Sequence, residues 1–445
     1  MRPYSMLSCR STPLAAVLLL LACRPNADPA GLNPPLSASR TGVPYTEGLA
    51  SPDWQSTAGT LLAQARIAPF AAGRLYAFVG VAQYLAVQRA EASAGGTDAE
   101  GGVSGNGIGR GGRSRLETDR GAVAGASAVV LNYLFPGHAA ALEDMVTAQA
   151  NAGPGQPHPA FAAGEAIGRA VGAEIVTRAQ TDGWDNPFTG TIPVGAGFWI
   201  SNTTPPTVAG GQLPGVRPWF LTSASQFRSA PPPAFGSSTF TAALAEIRGI
   251  SDTRTADQIR IATFWAQGAG TPTTPGFWLQ RATAGITEHG LSEREATHLY
   301  ALLSATMADA QVGCWDAKET YWFIRPWQAD PGITVVAAVG KPNHPSYPSG
   351  HSCTSASAAE VLTAFFPEQR AELDAMVIEA GLSRMYGGIH YRFDIDAGQQ
   401  LGRSVAAFTI AADASGNSVL TPHCGRAQVD GYHAELGGPP VTFRA

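Results

Sequence analysis

SYPSGHSCT, residues 346–354, puts a proline, a serine, a glycine and a histidine directly before an apolar run, Cys353 to Phe366. The run predicts a helix over 352–366, so the four residues stand at its N-terminus. Pro348 fixes the approach of the chain. Ser349 offers a hydroxyl, and Gly350 lets backbone N–H groups come close to a ligand. Unpaired N–H groups and the positive end of the helix dipole favour an anion there. His351 then stands at the anion's edge as an acid or base. Outward from this stretch, apolar residues recur at helical spacing over 58–92, 119–134, 138–150, 159–181, 238–248, 255–267, 276–287, 292–312, 316–324, 368–380 and 394–412. Strand signals are almost absent and no long repeat is visible. The fold class is all-α, a helical bundle.

Two flanking segments supply charge. In KETYWFIRP, residues 318–326, Lys318 and Arg325 are seven apart, two helical turns, which predicts a shared face ended by Pro326. Two cations on one face repel unless an anion sits between them. In SRMYGGIHYRFD, residues 383–394, Arg384 offers a planar fork suited to tetrahedral oxyanions. His390 and Asp394 are four apart, so the carboxylate can take one ring proton and leave the other nitrogen free as nucleophile or metal ligand.

The whole chain bounds the setting. Its 445 residues are 44% apolar with a net charge of −5, enough for a substantial core and without the basic surplus that nucleic acid demands. Residues 1–22 read as a signal peptide: Arg2 and Arg10 precede the apolar run PLAAVLLLLAC at 13–23. Its end resembles a bacterial lipobox, which implies cleavage before Cys23 and lipidation of that thiol. The chain is expected to be exported to the bacterial cell envelope and to meet the membrane through this anchor only. Residues 23–55 read as a Pro-, Ser- and Gly-rich tether, and 56–445 as a single catalytic domain with its core at about 238–415. No later segment reads as transmembrane. Residues 93–115 read as a flexible glycine-rich loop, since the formal G-x-G-x-x-G at Gly107, Gly109 and Gly112 follows no strand. Residues 182–237 are irregular, the pattern of a segment that lines a site or packs over the surface. Cys314, Cys353 and Cys424 remain after the signal and Cys23, and Cys314–Cys353 is the favoured disulfide. No HExxH or CxxC supports zinc. His298, in mid-helix, is expected to be a satisfied structural histidine, Arg392 to face solvent, and Glu319 to pair on the surface.

The three motifs, Lys-x6-Arg-Pro, Pro-Ser-Gly-His and Ser-Arg-x5-His-x3-Asp, resemble in order and spacing the superfamily of type-2 phosphatidic acid phosphatases, bacterial acid phosphatases and vanadium-dependent haloperoxidases. The helical stretch from about 238, with RTADQIRIATFW at 254–265, is similar to the larger haloperoxidase branch. The resemblance implies that Lys318, Arg325, Arg384, Ser349 and Gly350 hold oxyanion oxygens and that His351 is the general acid–base. His390 would be the axial ligand of vanadate in a haloperoxidase, or the phosphoryl acceptor in a phosphatase. Trp315 and His344 fall where haloperoxidases build the halide pocket, and histidine at 344 implies bromide or iodide over chloride. The expected function is halide oxidation by hydrogen peroxide with vanadate as cofactor. The alternative is a cofactor-free acid phosphatase acting through His390, and a third reading is a non-catalytic oxyanion-binding lipoprotein. Partners are small molecules, with a homo-oligomer possible in the larger branch.

Overall fold

In the computed structural model of this protein the described residues are 48–94, 110–152, 158–416 and 418–421. The chain divides after Gly42, and all the described residues lie in the unit that begins at Val43. They form helices joined by loops, with no strand longer than an isolated bridge. The first five helices are α1 (Ser51–Gln64), α2 (Pro69–Ala94), α3 (Arg110–Leu134), α4 (Ala139–Ala150) and α5 (Pro159–Thr181). After a long irregular segment come α6 (Ser238–Thr253), α7 (Ala256–Phe264), α8 (Thr273–His289), α9 (Glu293–Tyr321) and the single turn α10 (Pro326–Ala329). The chain closes with α11 (Gly350–Phe365), α12 (Arg370–Tyr386) and α13 (Arg392–Ala414).

Helix α9 is the axis of the core. It begins at a capping box, Ser292 with Glu295, and runs to Tyr321 without a break. The expected interruption at 313–315 is absent. Gly313 costs helix propensity, but its neighbours leave ordinary contact distances and the helix continues through it. Leu299, Leu303 and Met307 are fully buried, each contributing about 1.5–3 kcal/mol of burial. Helices α2, α11 and α13 pack on α9. Helix α2 is long and apolar enough to cross a membrane over Pro69–Ser93, contrary to the sequence expectation, but 89% of its apolar window is buried inside the protein. Its apolarity is spent on the core.

Several boundaries differ from the sequence reading. The tether expected to reach residue 55 ends sooner, because α1 starts at Ser51. Glu293 fixes that start, its carboxylate accepting the N–H groups of Ala50 at 2.6 Å and Ser51 at 2.9 Å. The glycine-rich loop ends at Arg110, where α3 begins. Signal peptide, Cys23, Gly107, Gly109 and Cys424 lie outside the described residues. Lys318 and Arg325 do not share a helical face. Trp322 adopts a left-handed conformation at φ 49° and caps α9, so Arg325 lies on extended chain beyond it.

The irregular stretch 182–237 holds one short 3-10 turn, Leu213–Gly215, and is anchored by side chains of the bundle. Buried Asp309 of α9 accepts the N–H groups of Trp219, Phe220 and Leu221 at 2.7, 2.7 and 3.0 Å. Arg178 of α5 reaches the carbonyls of Arg217 and Pro218 and stacks on Trp219. The segment then runs along the chain that carries the motifs: Trp199 N–H donates to Trp322 O, Ala209 N–H to Asn343 O, and Ile324 N–H to Gly197 O.

Helices α11 and α13 meet through glycine. A Cβ on Gly402 would come within 2.3 Å of Cys353 O, and one on Gly398 within 2.6 Å of Ser349 O. No larger residue lets α13 approach the N-terminus of α11 this closely. Ser349 N–H donates to Asp394 O at 2.8 Å across the same contact. The glycines thus set the distance between two of the motifs.

Candidate active site

The N-terminus of α11 is built as the sequence implies. Ser349 is the N-cap, and its Oγ accepts the Ser352 N–H at 3.4 Å. The hydroxyl proton remains available to donate to an anion. Gly350 faces Trp315, with space for a Cβ only at the margin of ordinary contact.

Lys318 is fully buried at the end of α9. Its ammonium donates to the carbonyls of Pro345, Ser346 and Pro348 at 2.8, 3.0 and 2.5 Å. Its three protons therefore shape the 345–348 loop, and it reaches the pocket as charge. Burial pushes it down to about 8. Only the ammonium form supplies three N–H donors, so the loop itself selects the cation.

Arg325 is the hub. Its Nε donates to His344 O at 3.1 Å and its Nη1 to Ile389 O at 2.7 Å. Nη1 also lies 3.0 Å from His390 Nε2, and Nη2 lies 3.1 Å from His344 Nδ1. Opposite, His390 Nδ1 stands 2.8 Å from Asp394 Oδ2. Carboxylate on one side and guanidinium on the other assign the tautomer: Nδ1 carries the proton and Nε2 presents its lone pair to Arg325. Burial, then the charges of Arg325 and Lys318, hold His390 well below the usual imidazole range, so the ring is neutral.

Asp394 is both the partner of His390 and the opening carboxylate of α13. Its Oδ2 also accepts Tyr391 N–H at 3.1 Å and Ser346 Oγ–H at 2.5 Å. Burial lifts it to about 6, against the pull of Ser346, Arg325 and Lys318. Ser346 is a site residue that sequence reasoning missed. It lies inside the opening motif, but no spacing marks it, and only the fold brings it to Asp394.

Arg384 and His351 meet the C-terminal end of α7. Arg384 Nη2 donates to Ala262 O at 3.0 Å and its Nε to Ser383 Oγ at 2.9 Å; neither bond uses Nη1. His351 Nε2 lies 2.9 Å from Trp265 O, which assigns the proton to Nε2 and the lone pair to Nδ1. Helix C-terminal carbonyls carry partial negative charge, the complement of an arginine and an N–H donor. Trp265 in turn donates Nε1–H to Glu379 at 2.8 Å, fixing α7 to α12. His351 is half-buried; burial and the charge of Arg384 hold it well below the ordinary value.

Trp315 and His344 pack with ring centroids 5.0 Å apart and planes tilted by 44°, and Trp315 is held by Nε1–H to Ala209 O at 2.9 Å. The long segment thus backs the pocket wall. The expected Cys314–Cys353 disulfide is not formed, and both thiols are free and buried. Glu319 is half-buried and not paired on the surface as expected; burial and Asp316 push it up to about 8. His298 is satisfied by Asp413 at 2.7 Å, and Arg392 pairs with Glu246 near the surface.

Lys318, Arg325 and Arg384 are all at most 1% exposed, and Asp394 is the carboxylate set among them. Three buried cations against one carboxylate leave an excess of positive charge out of water, which an oxyanion would offset. That excess, with the Nε2 lone pair of His390 held by Arg325 beside it, fits phosphate and vanadate equally.

Residues 297–415 match the PAP2 superfamily. The matched segment carries all three motifs. Among curated proteins, the non-specific acid phosphatase of Providencia stuartii is 31% identical over 125 residues, 27% of this chain and 48% of that protein. The non-specific acid phosphatase of Salmonella typhi is 44% identical over 57 residues, 13% of this chain and 23% of that protein. The chain thus spans about half the length, or less, of these relatives. Among solved structures, a bacterial vanadium-dependent iodoperoxidase superposes with TM-score 0.66 at 22% identity, over 83% of this chain and 98% of that one. A bacterial vanadium-dependent chloroperoxidase in its holo form gives 0.61 at 14% identity, over 80% and 94%. The PAP2 segment therefore sits inside an all-α fold shared with vanadium haloperoxidases over most of the chain.

Proposed function

We propose that the protein is a vanadate-dependent haloperoxidase that oxidises bromide or iodide with hydrogen peroxide. The observation that carries this branch is the Trp315–His344 pair, its ring centroids 5.0 Å apart, with His344 Nδ1 on Arg325. It forms an aromatic wall beside the cations, where a polarisable halide can be drawn out of water. The extent of the shared fold supports it too, because the similarity continues far outside the PAP2 segment.

His390 Nε2, Arg325, Arg384, Ser349 Oγ and the Gly350 backbone would hold vanadate, with the charge of Lys318 behind them. Bound vanadate would supply Lewis-acid activation of peroxide without changing oxidation state. Asp394 keeps the His390 proton on Nδ1, so the lone pair stays on Nε2. Arg325 and Lys318 stabilise negative charge developing beside it. His351 takes the peroxide proton at Nδ1 while Trp265 O holds Nε2–H. His344 stays neutral, pushed down by burial and the neighbouring cations, and so leaves the halide position apolar.

The acid-phosphatase names of the curated relatives favour a second reading. There His390 Nε2 attacks phosphorus in line, the alkoxide leaves with the proton of the ester monoanion passed on through His351 Nδ1, and water hydrolyses the phosphohistidine, giving its proton to the same nitrogen. Trp315→Ala and His344→Ala separate the two. In a haloperoxidase each lowers kcat/KM for bromide about tenfold or more and leaves phosphate inhibition in place. Unchanged bromide kinetics in both variants would remove the support for this branch. Export and lipidation at Cys23 belong to the same proposal; metabolic labelling with palmitate, lost in Cys23→Ser, is the test.

A further inference from the structure

Cys314 and Cys353 take no part in the chemistry above, yet they join the two helices that carry it. Cys314 lies one turn before Lys318 on α9, and Cys353 lies in the first turn of α11, four residues after Ser349. Both are 0% exposed and both are free. Both side chains lie in one buried cluster where α11 packs on α9. Cys314 Sγ lies 3.8 Å from Pro348 O, the oxygen that also accepts from Lys318 Nζ. The rest of their surroundings is apolar, with Val312, Leu401 and Val405 in the same cluster. Two buried thiols in one cluster, on two helices packed against each other, have the placement of a disulfide site.

The two thiols are unequal. Burial alone would push Cys314 up, but the neighbouring Cys353 thiol and the charges of Lys318 and Arg325 bring it below the ordinary value. Cys353, buried beside Cys314, is pushed well above it. The first is suited to attack and the second to resolve.

We propose that Cys314 and Cys353 are a dithiol–disulfide site closed by hydrogen peroxide, which ties α9 to α11 beneath the oxyanion pocket. Cys314 sulfur attacks one peroxide oxygen, the O–O bond breaks, and sulfenic acid forms with release of one water. Cys353 sulfur then attacks the sulfenic sulfur, the S–O bond breaks, and a second water leaves with the thiol proton. Two thiols are oxidised by two electrons and one peroxide is reduced to two waters. Neither thiol meets bulk solvent, so the oxidant must be small. The site leans on the pocket reading only for peroxide access, since Cys314 is one turn from Lys318; it needs neither vanadate nor turnover.

The test uses the folded full-length protein, reduced, freed of reductant, and exposed either to hydrogen peroxide or to the bulky aromatic disulfide reagent DTNB. After quenching, the protein is denatured, alkylated, digested and weighed. Peroxide is expected to give the Cys314 and Cys353 peptides as one species, two hydrogens lighter than their sum and separated by dithiothreitol. The melting temperature should rise, because the bond closes a long loop. DTNB should leave both thiols unmodified. In Cys353→Ser, dimedone should trap sulfenic acid at Cys314; in Cys314→Ser, Cys353 should stay reduced. Quantitative alkylation of both thiols in peroxide-treated wild type, with methionine sulfoxide showing that oxidant acted, would overturn the proposal. So would preferential pairing of either thiol with another cysteine. The wild-type peptide result does not depend on the variants folding, and it is independent of whether the pocket proves to be a haloperoxidase or a phosphatase.

Discussion

Asp394→Asn removes one charge and almost no volume. In the protein a single oxygen, Oδ2, accepts from His390 Nδ1, Ser346 Oγ and Tyr391 N at 2.8, 2.5 and 3.1 Å. Hydrogen bonds to an ionised acceptor contribute about 1.5–3 kcal/mol net, against about 1 kcal/mol for neutral pairs. Turning the His390 and Ser346 bonds neutral therefore loses roughly 2–3 kcal/mol from the support of the histidine. An amide can also present N–H to His390 Nδ1 and favour the wrong tautomer, which would place the proton on Nε2. Together these predict a fall in kcat of about 10²-fold, at about 1.4 kcal/mol per decade. Anion affinity should move the other way or not at all, because the substitution deletes the carboxylate that offsets Lys318 and Arg325. The assay is bromination and phosphate-ester turnover on one preparation, with the phosphate inhibition constant measured in parallel and folding checked by circular dichroism. A loss of phosphate affinity matching the loss of kcat would refute the reasoning, and so would turnover within threefold of wild type.

Arg384→Lys keeps the charge but loses the fork that bonds Ser383 Oγ and Ala262 O together; phosphate should bind about tenfold more weakly by competition, and equal affinity would contradict its role. Gly402→Ala drives a Cβ into Cys353 O and should destabilise the fold by about 1–3 kcal/mol in urea unfolding. The pH dependence follows from Lys318, whose cation in the empty protein is full below about 8 and lost above it. Phosphate affinity should hold below that value and weaken as pH rises through it. Folding stability carries the opposite sign: the unfolded lysine keeps its proton toward 10.5, so this residue's contribution rises between about 8 and that value.

The helical class and the three motifs were legible because each motif keeps its chemistry within a few residues. His390 and Asp394 stand four apart in sequence and bond across the start of α13. Ser349 caps the helix its apolar run announces. What failed depends on contacts between distant segments. Helical spacing placed Lys318 and Arg325 on one face, but Trp322 ends the helix first and the two meet through the 344–348 loop. Ser346, the carbonyls of Ala262 and Trp265, and the anchoring of residues 219–221 by Asp309 have no local signature at all. The apolarity of α2 could not be assigned to core or membrane until its neighbours were known.

The most direct test of the central claim is bromination of a phenolic dye by the purified protein, with hydrogen peroxide and bromide, with orthovanadate added or withheld, and with phosphate as competitor. The account predicts turnover that requires vanadate and is suppressed by phosphate. No bromination after vanadate loading, with phosphate-ester hydrolysis by the same preparation, would contradict the haloperoxidase reading and make the site a phosphatase on the same fold.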